Sequence, residues 1–474
     1  MTNVADGSIS EPWQMDATEV AHLIQSGKLS SREATESCLA RLDKVNPSVN
    51  AVTLVLREQA LSQADAADAA RARGATLGPL HGVPVTTKCN SDQIGCPSDG
   101  GVVASRDLIA QSDNPVIANL RKAGAIFIGR TNTPAFSMRF HTDNVLHGLT
   151  INPHSKSHTA GGSSGGAGVA VATGIGAIAQ GNDIGGSIRW PAYCNGVVGL
   201  RPSYGRVPSL NRTAPGGRSI ASQLMAVQGP LTRTVRDARL ALEVMSARDH
   251  SDNRWVDVPL NGPPAPKRVA LVPQASGAPA HPGAAAAVRE AGRRLAAAGY
   301  DVDEVEPPLL NEIWETWNRI GVVDVFGPLA EKIAASGDDG IKRSSSLWQK
   351  LWPPASLTEF RRALLDRDGA ITAWAEFLDH TPLVVMPVAA GPAFPIGLDT
   401  QDEASLARLL DMAARYLFPC PVLGLPGLSV PLGSQDGLPL GVQIIAARYR
   451  EDLCLNAGEV IEAHEGLRRP IDPS

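Results

Sequence analysis

The 474-residue sequence predicts an α/β fold, a central sheet covered by helices. Three observations carry this. Residues 80–88 (LHGVPVTTK) turn to a β-branched run after a helix-like stretch. Residues 114–129 read as a helix with an early Pro, then Gly124, then the apolar run AIFIG, a compact helix–strand unit. Strand character returns late in the chain, in LVVMPV (383–388), LSVPLG (428–433) and GVQIIA (441–446), so the sheet draws on both halves.

Taken in order, Asp16 with Glu19 and Ser30 with Glu33 have capping-box spacing, predicting two helices over 16–45 with Gly27 ending the first. An Ala/Asp/Arg-rich helix follows over 56–74, then a buried strand ending at Lys88. Residues 147–187 form a Gly/Ser-rich centre. A Pro-rich connection (259–273) leads to a strand at 268–272, a helix near 283–298, Gly299 and an edge-like strand to Val305. Residues 307–380 are helical, hold five of the eight tryptophans and read as an inserted cap. The expected organisation is one domain over 1–474: an N-terminal helical segment (1–75), a core (76–306), the cap-like insertion (307–380) and a C-terminal return to the sheet (381–474).

Composition narrows the function. Forty-three Lys+Arg against 48 Asp+Glu give a net charge of −5 without long like-charge runs, which excludes a nucleic-acid stripe or a polybasic membrane anchor. Aromatics at 4% argue against stacking platforms, and 43% apolar residues supply a core. The longest apolar run (169–179) is too short to span a bilayer, and the opening residues show no secretory signal. Six scattered cysteines read as reduced thiols in a cytoplasmic protein, and the Cys89/Cys96 spacing fits no common zinc pattern. Small neutral substrates are favoured.

Two runs stand apart, TAGGSSGGAG (159–168) and GNDIGGSIRWP (181–191), each with a serine after paired glycines. Such glycines let a substrate approach the backbone and let amide N–H groups converge on one point. Ser187, preceded by Ile184, Gly185 and Gly186, has the makings of a nucleophile joined to an oxyanion hole. A plain turn is the bland alternative, weakened by the second run. A dinucleotide fingerprint at Gly174, Gly176 and Ala179 lacks the acidic residue expected some 20 positions on. His81, His141, His147, His154 and His158 are candidate bases, each with a structural role as the default. His154 and His158 follow Pro153 in a non-helical context, which disfavours a metal pair.

Lys88 after GVPVTT, GGSSGG at 161–166 and GNDIGGSIRWPAYCNGVVGLRPS at 181–203 resemble the amidase signature family, with intervals of 75 and 24 residues separating Lys88, Ser163 and Ser187. The likeness extends through GRTNTPAF (129–136), INP (151–153) and PGLSVPLGSQDGLPLGVQ (426–443). It implies an α/β/α sandwich with a twisted, mixed central sheet covered by helices on both faces. It also implies hydrolysis of amide C–N bonds without a cofactor or metal. Ser187 becomes the nucleophile, Ser163, in a cis peptide, the bridge, and Lys88 the base. Ile184, Gly185, Gly186 and Ser187 form the oxyanion hole, Ser164 supports Ser163, and Asp183 and Arg189 hold the loop. Lys88 must then be uncharged, which burial favours.

Three positions depart from the family pattern. Cys89 stands where the family often has Asp, and as the neighbour of Lys88 on a strand it points to the opposite face. Asn182 and Ile184 stand where glutamine-dependent amidotransferase subunits show Ser or Thr and Thr. That favours a hydrolase over the alternative, a partner-dependent glutamine amidotransferase A-type subunit or a noncatalytic member. Residues 129–148 look most like the aryl acylamidase branch, where Ser137 falls at a ligand-touching position. Phe136, Met138 and Phe140 alternate as on a strand; Trp314 with Trp317 and Trp348 with Trp352 have helical spacing. Core packing is the default for both sets, against an apolar cleft lining for the first and an aromatic lid over the pocket for the tryptophans. The expected substrates are small neutral aryl or apolar amides and anilides, with esters and carbamates open to the same tetrahedral chemistry, and a homodimer is left open.

Overall fold

Capping chemistry starts the first helices where the sequence places them. In the computed structural model, which describes residues 11–213, 217–466 and 468–474, Asp16 accepts the Glu19 N–H at 2.9 Å and opens α1 (Ala17–Gln25). A reciprocal Ser30–Glu33 capping box opens α2 (Ser31–Val49). Residues 1–10, where no export signal was read, lie outside the described residues.

A short strand not expected from the sequence, β1 (Val52–Val55), precedes α3 (Arg57–Ala72). Then come β2 (Pro84–Lys88), α4 (Pro115–Lys122) and β3 (Ile126–Thr131). Strands β4 (Ile151–Asn152) and β5 (Ser155–Thr159) form a separate ribbon. The Gly/Ser-rich centre folds as α5 (Gly165–Ala172), β6 (Ile178–Asp183), α6 (Arg189–Cys194) and β7 (Val198–Arg201). After α7 (Ile220–Met225) come β8 (Val227–Thr232), α8 (Val235–Met245), β9 (Arg268–Leu271), α9 (Pro282–Ala297) and β10 (Asp301–Glu304). The tryptophan-rich segment is α10 (Leu310–Ser336), α11 (Asp339–Leu351) and α12 (Leu357–His380). Strand β11 (Leu383–Pro387), helix α13 (Glu403–Leu409) and the hairpin β12 (Gly427–Gln435) and β13 (Leu438–Ala446) complete the sheet region, followed by a helix over Glu451–Glu462.

One eleven-stranded mixed sheet runs β1-β3-β2-β6-β8-β7-β12-β13-β11-β9-β10. Its neighbours β2–β3, β2–β6, β9–β10 and β9–β11 are parallel and the rest antiparallel. Successive side chains of a strand face opposite sides, and here both sides are covered. Val384 and Ile445 pack with Trp190 and the tryptophans of α10–α12, while Val385 and Ile444 pack with residues of α1, α4, α8 and α9. The expected α/β/α arrangement is therefore present, with the tryptophan-rich helices on the Trp190 side.

One expectation fails here. Phe136, Met138 and Phe140 do not lie on a strand: residues 135–137 form a tight turn with Phe136 and Ser137 at φ of 57° and 59°. Alternation alone cannot distinguish a strand from a turn that swings neighbouring side chains apart. Among the described residues, no helix is long and apolar enough to cross a membrane.

Candidate active site

The parallel pair β2–β6 ends at Lys88 and Asp183; the loop beyond Asp183 leads into α6, and the loop after β5, which carries Gly162 and Ser163, leads into α5. Clefts at the carboxyl ends of parallel strands are the usual place for a site in such sheets. The glycines of these loops make the approach possible. A Cβ on Gly162 would sit 2.5 Å from the Arg139 carbonyl oxygen, and Gly186 has a φ of 109°, reserved for glycine.

Lys88 is fully buried and its Nζ is in hydrogen-bond contact with Ser163 Oγ at 2.7 Å, Asn182 Oδ1 at 2.8 Å and Ser164 Oγ at 3.1 Å. Burial lowers its pKa to about 7, with Cys89 and the Asp183 carboxylate pulling weakly the other way. The Gly162–Ser163 peptide is cis. Ser187 is half-buried, and its carbonyl accepts the Ser164 N–H at 3.3 Å. Lys88, Ser163 and Ser164 are thus in direct contact. Ser187 adjoins them through the backbone; among the described residues its hydroxyl shares no hydrogen bond with that of Ser163.

The expected oxyanion donors divide. The Gly186 N–H already donates to Asp183 Oδ1 at 2.9 Å, which corrects its assignment as a free donor in this state. The amides of Ile184, Gly185 and Ser187 have no protein acceptor among the described residues. Trp317 Nε1–H donates to the Ile184 carbonyl at 3.0 Å. In a trans peptide C=O and N–H point in opposite directions, so this bond from α10 fixes where the Gly185 N–H points.

Asp183 anchors the loop. Its carboxylate accepts from the Ile188 N–H at 3.3 Å, Arg189 Nε at 3.1 Å and Arg201 Nη1 at 3.2 Å, with all three side chains of this ion cluster buried. Burial alone would raise its pKa, but the two guanidinium groups hold it at about 2. Asp183 and Arg189 thus form a buried ion pair rather than a surface one. Arg189 also donates to Gln443 on β13 at 3.0 Å, tying the C-terminal half to the loop. Arg201 and Gln443 were not found from sequence, because nothing local marks a contact made through the sheet.

The histidines face elsewhere: His141 meets Thr159, His81 the Ala67 carbonyl, His154 the Asn195 carbonyl, His158 Ser155 and His147 Asp99. Burial lowers His141 to about 4. Cys89 and Asp99 join His147 in the one trio of metal-type side chains among the described residues, where Asp99 Oδ1 also takes the Gly101 N–H at 2.8 Å.

Ser187 opens on a cleft lined by Ser137, Met138, Phe140, Ile184, Trp317, Trp348 and Phe418, with a free volume of about 30 Å³. Aromatic rings continue through its wall: Phe140–Trp348 at 6.1 Å, Trp348–Trp317 at 5.8 Å and Trp317–Phe418 at 3.9 Å between centroids. Arg139 borders the cleft, but its guanidinium is paired with Asp399 at 2.7 Å. The tryptophans therefore serve both as core and as cleft wall. A larger cavity of about 410 Å³, lined by His154, Arg233, Glu465 and Arg468, contains neither Lys88 nor the two serines.

Comparison with known proteins agrees with this architecture. An indoleacetamide hydrolase of Bradyrhizobium diazoefficiens is 45% identical over 96% of this chain and 87% of its own. A glutamyl-tRNA(Gln) amidotransferase subunit of Moorella thermoacetica is 32% identical over 95% of this chain and 97% of its own. Among solved structures, a bacterial aryl acylamidase of the amidase signature family superposes with a TM-score of 0.82 at 26% identity, covering 95% of this chain and 96% of that one. Fold and relatives together define an amide-hydrolysing enzyme. With the Amidase family profile matching residues 33–455, the chain belongs to the amidase signature family.

Proposed function

We propose that the protein hydrolyses small, neutral amides with an aromatic acyl side, arylacetamides in particular, through an acyl-enzyme on Ser187. The observation that carries the reading is a buried amine with a pKa near 7, bonded to Ser163 at 2.7 Å beside an aromatic cleft that Ser187 also lines. Substrate carbonyl binding brings the Ser187 hydroxyl onto Ser163, a tightening common between free and occupied sites. Ser187 Oγ attacks the carbonyl carbon while its proton passes to Ser163 and the Ser163 proton to Lys88. The developing oxyanion is met by the unpaired amides of Ile184, Gly185 and Ser187. Lys88 returns the proton, by way of Ser163, to the departing amine, and water then cleaves the acyl ester by the same relay.

The substrate class follows from the cleft wall and from the relative that acts on indoleacetamide. A volume of about 30 Å³ holds a single water, so a ring enters only as Met138, Phe140 or Trp348 turns aside. Hydrolysis assays on indole-3-acetamide, phenylacetamide, a 4-nitroanilide, an aryl ester and an aryl carbamate test this. Arylacetamides should lead in kcat/KM. No hydrolysis of any of them, with glutamine-dependent transfer to tRNA on adding a partner protein, would overturn it.

Trp317→Phe tests the oxyanion geometry, because an aromatic ring remains against Phe418 while the bond to the Ile184 carbonyl is lost. One net hydrogen bond is worth about 1 kcal/mol, so kcat should fall roughly fivefold with KM changed little. A rise in KM alone would assign Trp317 to substrate packing only.

A further inference from the structure

Lys88 Nζ has three oxygen neighbours, and one of them has no hydrogen to give. Asn182 Oδ1, at 2.8 Å, only accepts, whereas the Ser163 and Ser164 hydroxyls, at 2.7 and 3.1 Å, can donate or accept. A chain of polar groups sets the direction of the Asn182 amide. Its Nδ2 donates to Asn90 Oδ1 at 2.8 Å, Asn90 Nδ2 donates to Ser137 Oγ at 2.8 Å, and Ser137 shares a hydrogen bond with Thr133 Oγ1 at 2.8 Å. Ser164 has an outlet for its own proton, the Asn182 carbonyl oxygen at 3.5 Å.

An uncharged lysine amine offers two N–H donors and one lone pair. Asn182 Oδ1 takes one donor and Ser164 Oγ the other. The lone pair is left for the Ser163 hydroxyl, the shortest of the three contacts. We propose that Asn182, held by Asn90 and Ser137, is a positioning residue that turns the Lys88 lone pair toward Ser163 and links that amine to the substrate cleft. A Ser or Thr hydroxyl at 182 would be free to donate into the lone pair and compete with Ser163; an amide oxygen is not. Because Ser137 lines the cleft, a substrate that displaces its hydrogen bonds acts on Lys88 through two amides. The inference rests on the role proposed above for Lys88 as base.

The test is the pH profile of kcat/KM for an arylacetamide in Asn182→Asp and Asn90→Asp. The other ionisable groups facing Lys88 are Asp183, neutralised by Arg189 and Arg201, and Cys89, whose thiol burial pushes well up and which has Asp99 and Arg130 near it. Neither substitution alters them. A carboxylate against the amine should move the acid limb up by about 1 to 3 pH units, with activity recovering at alkaline pH. Asn90→Asp, one amide further away, should move it less. A merely structural role lowers the plateau and leaves the limb in place. An unmoved limb in Asn182→Asp, or a shift in Asn90→Asp as large as that in Asn182→Asp, overturns the inference. If Asn182→Asp does not fold, an unmoved limb in Asn90→Asp overturns it alone. A wild-type enzyme with no acid limb near neutrality while chemistry limits the rate would instead sink the reading of Lys88 as base.

Discussion

Ser187→Ala is expected to lower kcat for an arylacetamide by about 10⁴-fold or more, the loss seen when a serine hydrolase is deprived of its nucleophile. The fold should survive. Ser187 is half-buried, its hydroxyl makes no hydrogen bond among the described residues, and its contribution to the loop is a backbone carbonyl that alanine keeps. Denaturant midpoints within experimental scatter of wild type, with loss of fluorophosphonate labelling, would place the effect on chemistry alone. Substantial turnover by a pure, folded variant would remove Ser187 from the nucleophile's role. Residual rate above that in water would report the amides of Ile184, Gly185 and Ser187 acting without a nucleophile.

Much of this site was legible in the sequence because its constraints are local. The glycines at 161, 162, 185 and 186 stand where the backbone passes against other backbone or side chains: a Cβ would collide at 161, 162 and 186, and at 185 it would crowd Phe418 and Trp317 at 3.2 Å. Lys88 closes a β-branched run, and Asp183 sits six residues before its arginine partner. Contacts made across the sheet left no such trace: Arg201, Gln443 and Asn90 reach the site from separate elements. Helix α5 was missed for a different reason. Its first residues, Gly165 and Gly166, are poor helix formers, yet a Cβ on Gly166 would lie 2.4 Å from the Asn132 nitrogen, so close packing overrides propensity. The commitment of the Gly186 N–H to Asp183 was invisible too, because spacing does not tell which way a peptide turns.

Lys88→Met separates catalysis from stability and should move the two in opposite directions at neutral pH. Activity should fall about as far as in Ser187→Ala, since among the described residues no other group in contact with Ser163 can take a proton near pH 7. Stability is governed by where the amine titrates. In the unfolded chain it holds its proton up to the ordinary lysine range, and in the folded protein only up to about 7. Between those values the unfolded state binds one more proton, so wild-type stability rises with pH by about 1.4 kcal/mol per unit relative to the variant. The contribution is fully present above the unfolded pKa and is lost as pH falls toward 7; below that both states are protonated and the difference is flat. Summed over this window, keeping the amine uncharged costs on the order of 4 to 5 kcal/mol at neutral pH. Methionine escapes that cost but strands the partners of the amine, which returns about 1 kcal/mol for each of the three hydrogen bonds. The variant should therefore equal or exceed wild type in unfolding free energy at pH 7 and lose ground steadily toward pH 10. Other lysines and tyrosines titrate alike in both proteins and cancel in the difference. A difference independent of pH from 7 to 10 would mean that Lys88 stays charged in the folded enzyme, and a charged lysine cannot accept the proton that the proposed mechanism passes to it.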